Sequence, residues 1–234
     1  MVIFIVKILD IEKNRLERLI QYLSYNKQLK INKFLKKSDK IQSLIGEIII
    51  RTELMEKFNL KNKEINFIEN KYGKPRIIEL EDFYFNLSHS GSYIVAAISD
   101  SEVGIDIEEM QEFQDFKEIA ENFFSKEEVT YILEGTKEET VDRFYEIWTL
   151  KEAYVKFKGK GLSIPLESFT IFFDRHNNIK VKKSGEESYE FLKLIEILPK
   201  YKLALCSFKN NNIIIKELKQ DKLINNFLGL IERK

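Results

Sequence analysis

The stretch "YIVAAISDSEVGIDIEEM", residues 93–110, decides the fold class. Two apolar, β-branched runs, "YIVAAIS" (93–99) and "EVGIDIE" (102–108), are joined by a short polar "DSE" segment. That pattern predicts two strands, and the short link reads as a β-hairpin. Along the second strand side chains alternate between faces, so Ile105 and Ile107 face the core while Asp106 and Glu108 share the opposite side. Two neighbouring carboxylates repel each other. A hard divalent cation supplies a reason for the pairing, because Mg²⁺ takes oxygen ligands and often shares them with substrate phosphates. Taken alone, the pair also reads as a solvent-exposed acidic strand edge.

Working outward, "MVIFIVKIL" predicts a first strand at about residues 2–9; Lys7 and Asp10 interrupt it and no small-residue cleavage site follows, so it does not read as a signal peptide. Residues 24–58 carry apolar side chains at helical spacing, with a break and new N-cap at Ser38 and Asp39: a short basic helix, then a longer one ending near Phe58. "EINFIEN" is a strand candidate, and Tyr72, Gly73, Lys74 and Pro75 form a turn. Helices are expected over about 115–134 and 138–158, with Ser125 and Glu128 as a capping box. Strands follow at "SFTIFF", "NIKV", "EFLKLIEI" and "YKLALCSF", and "QDKLINNFLGLIERK" reads as a terminal helix. The class is α+β, with a boundary near residues 100–104.

The 234 residues can bury a sizeable core. Lys plus Arg and Asp plus Glu both number 38, and the resulting zero net charge disfavours wholesale binding to nucleic acid or an anionic membrane. No apolar run approaches the roughly 20 residues of a membrane span. Cys206 is the only cysteine, so no intrachain disulfide can form, which fits a reducing cytoplasm.

Three further segments carry chemistry. In "EIWTLKEAYVKFKGKGLSIPL" (146–166), Glu152 and Lys156 stand one turn apart on one helix face, ahead of the glycine-broken basic loop Lys158–Gly161. The plain reading is a surface ion pair, with Trp148 one turn earlier in the core. "FNLSHSGSY" (85–93) places Ser88, His89, Ser90 and Gly91 in a polar, turn-prone segment before a strand. Its hydroxyl, imidazole and backbone donors suit a phosphate. Adjacent residues of an extended chain point to opposite faces, so Ser88 and His89 are not expected to form a nucleophilic dyad. Lys27, Lys30, Lys33, Lys36, Lys37 and Lys40 form a basic run, most of it a solvated helix face.

The order and wording of "GIDIE", "FFSKEE" and "WTLKEAYVKFKGKGLSIPL", with "YGKP", "FNLSHS" and "SLIGEIIIR" upstream, resemble the 4′-phosphopantetheinyl transferases of the surfactin-synthetase type. The resemblance spans roughly Ser24 to Phe169. It implies two similar α+β subdomains with a pseudo-twofold relation, here residues 1–102 and 103–234, and coenzyme A in the cleft between them. It implies transfer of the phosphopantetheine arm of coenzyme A to a serine of an apo acyl or peptidyl carrier protein, with release of 3′,5′-ADP. The resemblance makes Asp106, Glu108 and Glu152 the ligands of Mg²⁺, with Mn²⁺ as the alternative ion, and sets Lys156 on the pyrophosphate. It puts Lys27, Lys30, Ser43 and His89 around the 3′-phosphate, and Lys74 and Ser88 on the nucleotide. The proton of the acceptor serine goes to Glu152 or to a metal-held water. A cytoplasmic monomer is expected, with the Gly159–Gly161 loop facing the carrier.

Two other readings compete. A metal-dependent nuclease also uses carboxylate pairs and a lysine, but its acid and lysine commonly stand two apart on a strand, and this chain has no positive excess for a phosphate backbone. A non-catalytic nucleotide- or carrier-binding module has no need of three carboxylates.

Overall fold

The computed structural model describes residues 1–78, 80–111, 115–210 and 212–232. In chain order it contains β1 (Val2–Lys7), α1 (Lys13–Ile20), α2 (Tyr25–Asn32), α3 (Lys37–Phe58), β2 (Phe67–Glu69), β3 (Pro75–Ile77), β4 (Tyr84–Ser90) and β5 (Tyr93–Ser99). Then come β6 (Val103–Glu109), α4 (Phe116–Phe123), α5 (Lys126–Leu133), α6 (Lys137–Lys158), β7 (Thr170–Phe173), β8 (Ile179–Lys183), β9 (Glu186–Glu187), β10 (Phe191–Leu194), β11 (Tyr201–Ser207), β12 (Ile214–Lys219) and α7 (Gln220–Glu232). The class is α+β. Among the described residues no helix is long and apolar enough to cross a membrane.

The stretch 93–110 forms two strands, but they do not make a hairpin. β5 pairs with β1 and β4, whereas β6 pairs antiparallel with β11. Two conditions decide this. The link has no glycine, and none of residues 100–102 takes the left-handed conformation common in three-residue hairpin loops. The β4–β5 turn, in contrast, has Gly91 at φ +52° just after the paired Ser90 and Tyr93. Both apolar runs are also buried on both faces. Ile94, Ala96 and Ile98 of β5 join one core, and Val95 and Ala97 join another with Ile105 and Ile107 of β6. Ser88, His89 and Ser90, expected with Gly91 in a turn-prone segment, instead close the strand β4.

The result is layered. Helices α1, α3 and α7 cover one face of the sheet β12-β1-β5-β4. The other face packs on the sheet β10-β11-β6 through Ile3, Ile5, Val95, Ala97, Ile105, Ile107, Leu203 and Leu205. The far side of that second sheet is covered by α4, α5 and α6. α3 begins after Lys36 rather than at the Ser38–Asp39 break, and α1, whose Leu16, Leu19 and Ile20 form an amphipathic stripe, was passed over in the sequence. β12 was passed over too. It lies parallel to β1, and α7 then packs on α3, so residues 214–232 extend the first half of the molecule although they follow the second in the chain. The expected second subdomain, 103–234, thus has a tail that crosses back.

One glycine sets the distance between β6 and α6. A Cβ on Gly104 would lie 2.1 Å from the carbonyl oxygen of Ala153 and 2.3 Å from the amide nitrogen of Phe157. These are backbone atoms, which cannot rotate away. Gly104→Ala is expected to destabilise the protein by about 1–3 kcal/mol or more through overpacking, read as a lower urea midpoint with unchanged m. A wild-type midpoint would show that helix and strand do not need this approach.

Candidate active site

Where the two sheets meet edge to edge, β4 and β6 run side by side without a main-chain ladder between them. Alternation on β4 puts Asn86, Ser88 and Ser90 on the face toward β6, and these side chains take the ladder's place. Ile105 N donates to Asn86 Oδ1 (2.8 Å), Ser88 Oγ donates to Asp106 Oδ1 (2.8 Å), and Ser90 Oγ donates to Glu108 Oε2 (3.0 Å) while accepting from Glu109 N (3.0 Å). Sequence reasoning missed Asn86, and read Ser90 as a turn residue suited to a phosphate rather than as a partner of Glu108; the polar residues at i, i+2 and i+4 of "FNLSHS" were the available signal.

α6 closes the site from above. It has a Thr136/Glu139 capping box and ends at Gly159, φ +63°. Trp148, Glu152 and Lys156 recur at four-residue spacing and so share one face. Lys156 Nζ donates to Ser88 Oγ (2.8 Å) and Asp106 Oδ1 (2.5 Å). Trp148 Nε1 donates to Glu108 Oε1 (3.2 Å), so this tryptophan belongs to the site as well as to the core. Glu152 stands between them, with no hydrogen-bond partner among the described residues. Its neighbour Lys151 anchors the helix: fully buried, it pairs with Glu128 Oε1 (2.8 Å) and donates to the carbonyls of Leu166 and Phe169.

The electrostatics are those of a site short of positive charge. Asp106 is 2% exposed, and its Oδ2 is buried with no hydrogen-bond partner among the described residues. Burial holds the Asp106 carboxyl above its usual range despite Lys156. Burial and then the charge of Asp106 do the same to Glu108 and to Glu152. An all-oxygen set with an orphaned buried carboxylate oxygen suits a hard cation. As the side chains stand, no three His, Cys, Asp or Glu residues among the described ones are grouped closely enough to hold a metal ion.

The other expected binding residues lie on α2, α3, β4 and the turn before β3. Lys27 and Lys30 line a cavity of about 390 Å³ with Glu47, Phe67, Glu69 and Phe85; Lys27 pairs with Glu47 (3.4 Å) and Lys30 with Glu69 (3.2 Å). Ser43 and His89 are not part of its lining. His89 lies on the face of β4 shared with Phe85 and Leu87, and partial burial of its ring, then the Lys156 charge, hold its pKa below the usual imidazole range. Ser88, on the opposite face, is buried, as strand alternation required. Lys74 Nζ donates to Glu102 Oε2 (2.6 Å), Val103 O (3.1 Å) and Phe157 O (3.2 Å), which uses all three ammonium protons. Beside it, Asn70 Nδ2 donates to Gly159 O (2.8 Å), so the start of the Gly159–Gly161 loop is docked on the "YGKP" turn.

Comparisons with known proteins show the family. Residues 11–101 match the family model for the 4′-phosphopantetheinyl transferase N-terminal region, and residues 102–206 match that of the 4′-phosphopantetheinyl transferase superfamily. The chain is 36% identical over 191 residues to 4′-phosphopantetheinyl transferase Sfp of Bacillus subtilis (strain 168), covering 82% of this chain and 84% of the relative. The chain belongs to the 4′-phosphopantetheinyl transferase family. It is also 35% identical over 221 residues to 4′-phosphopantetheinyl transferase gsp of Aneurinibacillus migulanus, covering 94% of this chain and 91% of the relative. The chain is thus an enzyme, a transferase of the Sfp type.

Raised carboxylate pKa values have a sign. Ionising Glu152 is harder in the folded transferase than in the unfolded chain, so stability is lost as pH rises from the ordinary carboxylate range through the raised value. Glu152→Gln removes that loss. In chelator its melting temperature is expected to exceed that of wild type at neutral pH, and the advantage to vanish below about pH 4, where Glu152 is protonated in both states. Melts in which the variant is no more stable at neutral pH would show that Glu152 is not strained.

Proposed function

We propose that this transferase moves the 4′-phosphopantetheine arm of coenzyme A to a serine of an apo acyl or peptidyl carrier protein, releasing 3′,5′-ADP. The observation that carries the reading is the buried Asp106, short of positive charge and backed by Lys156, at the seam of the two halves. The two family models meet between residues 101 and 102, in line with a cleft between subdomains 1–102 and 103–234, the tail 214–232 returning to the first. One chain supplies both walls, and the transferase works as a monomer.

Asp106, Glu108 and Glu152 are the residues to hold Mg²⁺, or Mn²⁺ in its place. When bound, the ion neutralises the pyrophosphate. Closing three carboxylates on one ion requires side-chain rotation, and Glu152, with no hydrogen bond to hold it, is the freest to move. Lys156 is already held at the seam by Ser88 and Asp106, from where it stabilises charge developing on the leaving phosphate. The acceptor serine oxygen bonds to the phosphorus that carries pantetheine, the bond from that phosphorus to the bridging oxygen breaks, and 3′,5′-ADP leaves with that oxygen. The serine proton goes to Glu152 or to a metal-held water. Lys27, Lys30, Ser43 and His89 are assigned to the 3′-phosphate, and Ser88 and Lys74 to the nucleotide. For Lys74 this means giving up one present acceptor.

Mass spectrometry of apo-carriers incubated with coenzyme A and Mg²⁺ tests the reaction, which predicts the gain of one phosphopantetheine. Asp106→Ala, Glu108→Ala and Glu152→Ala each should remove most turnover with the fold intact by circular dichroism. Lys156→Met should lower kcat about 10²–10³-fold and change KM less. Near-normal turnover of the Asp106 or Glu152 variant at saturating Mg²⁺ contradicts the assignment.

A second test concerns the remote phosphate. Wild type should prefer coenzyme A over dephospho-coenzyme A. Charge-assisted hydrogen bonds contribute roughly 1.5–3 kcal/mol each, so losing two removes a factor of about a hundred or more. Lys27→Ala/Lys30→Ala should lose much of the preference, by becoming worse at coenzyme A alone. An unchanged ratio of kcat/KM values makes the basic helix a solvated face.

A further inference from the structure

We propose that Glu47 is a positioning residue, holding the Lys27 ammonium ready for an anionic ligand group while a buried arginine cancels its charge. The inference rests on the reading that Lys27 meets the 3′-phosphate. Glu47 lies on α3 and is 6% exposed. Its Oε1 accepts from Arg51 Nε (2.8 Å), one turn on, and its Oε2 faces Lys27 Nζ (3.4 Å) at the mouth of the 390 Å³ cavity. Arg51 is 2% exposed and immobilised behind the cavity wall. It donates through Nη1 to both the carbonyl and Oδ1 of Asn62 (2.9 Å each), and its guanidinium lies 5.2 Å from the Phe67 ring centre. Asn62 Nδ2 in turn donates to Tyr22 O (2.8 Å), fixing the chain just before α2.

Two physical points favour positioning over a plain structural pair. A buried ion pair is a poor stabiliser compared with apolar residues of similar size, so its presence asks for another reason. The anchoring of α2 is the second. Ile31 is its only buried residue, and Lys27 sits on its first turn, so the backbone alone holds this lysine loosely. Glu47 supplies the missing restraint. A lone carboxylate there would repel the anion it prepares for. Because Arg51 shares that carboxylate, Lys27, Glu47 and Arg51 together keep one net positive charge. The lysine is oriented yet not neutralised, a form of preorganisation that reduces what ligand binding must order. Lys30 has no such arrangement: its partner Glu69 and the lysine itself are both more than half exposed, where an ion pair contributes little.

The test is a double-mutant cycle on the full chain with an apo-carrier as acceptor. The quantity is the ratio of kcat/KM for coenzyme A to that for dephospho-coenzyme A, in wild type, Lys27→Ala, Glu47→Gln and the double variant. Each single variant is expected to lower the ratio about fivefold or more, mainly through KM for coenzyme A, and the double variant to be no worse than Lys27→Ala. Three outcomes overturn the proposal while leaving the 3′-phosphate reading intact. Glu47→Gln may lower kcat/KM equally for both substrates, its loss may add in full to that of Lys27→Ala, or it may raise the ratio as a merely repulsive carboxylate would. A Lys27→Ala ratio equal to wild type instead sinks the 3′-phosphate reading, and this inference with it. If circular dichroism shows Glu47→Gln unfolded, Glu47→Gln/Arg51→Met, which removes both buried charges, takes its place under the same outcomes.

Discussion

The site turns on one buried carboxylate. Asp106 sits at the seam between the two sheets, almost without solvent, and a charge so placed is tolerated only with partners. Three independent parts of the chain supply or permit them. β4 brings Ser88, α6 brings Lys156, and Gly104, lacking a side chain, lets α6 come close enough for that lysine to reach. The same contacts hold the halves of the molecule together. Asn86, Ser88 and Ser90 bridge two sheet edges that have no main-chain pairing, so the polar groups that shape the site are also the mortar of the fold.

The arrangement is stable in the region around it and strained at its centre. Lys151 and Glu128, fully buried, tie α6 to α5 and to the segment before β7, and every charged oxygen and proton there has a partner close by. One residue along the helix, Glu152 has none among the described residues. This contrast separates the scaffold from the chemistry: a satisfied buried pair fixes the helix, and an unsatisfied carboxylate on the next position is left to respond to a cation or a proton. The neighbouring residues Lys151 and Glu152 of one short motif thus do opposite work.

The returning tail serves the same economy of edges. β1 would be an open edge of the first sheet without β12, and α3 would lack part of its apolar cover without α7. Residues far apart in the chain complete the half that carries the Lys27 cavity, while the second half carries α6 and β6.

Much was legible in the residues themselves. Alternation in "GIDIE" and the four-residue spacing of Glu152 and Lys156 each place side chains on one face, because strand and helix periods are local properties of the backbone. Those periods gave the strands and helices, the burial of Ser88 opposite His89, and the shared face of Asp106 and Glu108. Partner choice was not legible. The hairpin expected at 93–108 failed because a strand that is apolar on both faces does not reveal which sheet it will join; only the turn at Gly91 and the face-to-face packing of Val95 and Ala97 on Ile105 and Ile107 decided it. β12 opens on the β-branched Ile214 and Ile215, a signal the reading passed over, but its residues are mostly exposed, and its place in the sheet comes from the edge that β1 offers. Trp148 looked like core, Ser90 like part of a turn, and Asn86 was passed over, because a hydrogen bond to a carboxylate forty positions away, or from a backbone amide nineteen positions away, leaves no trace in local spacing. What the sequence by itself determined was the identity and facing of the charged groups. Their meeting at one seam depended on how two sheets pack, and that is a property of the whole chain.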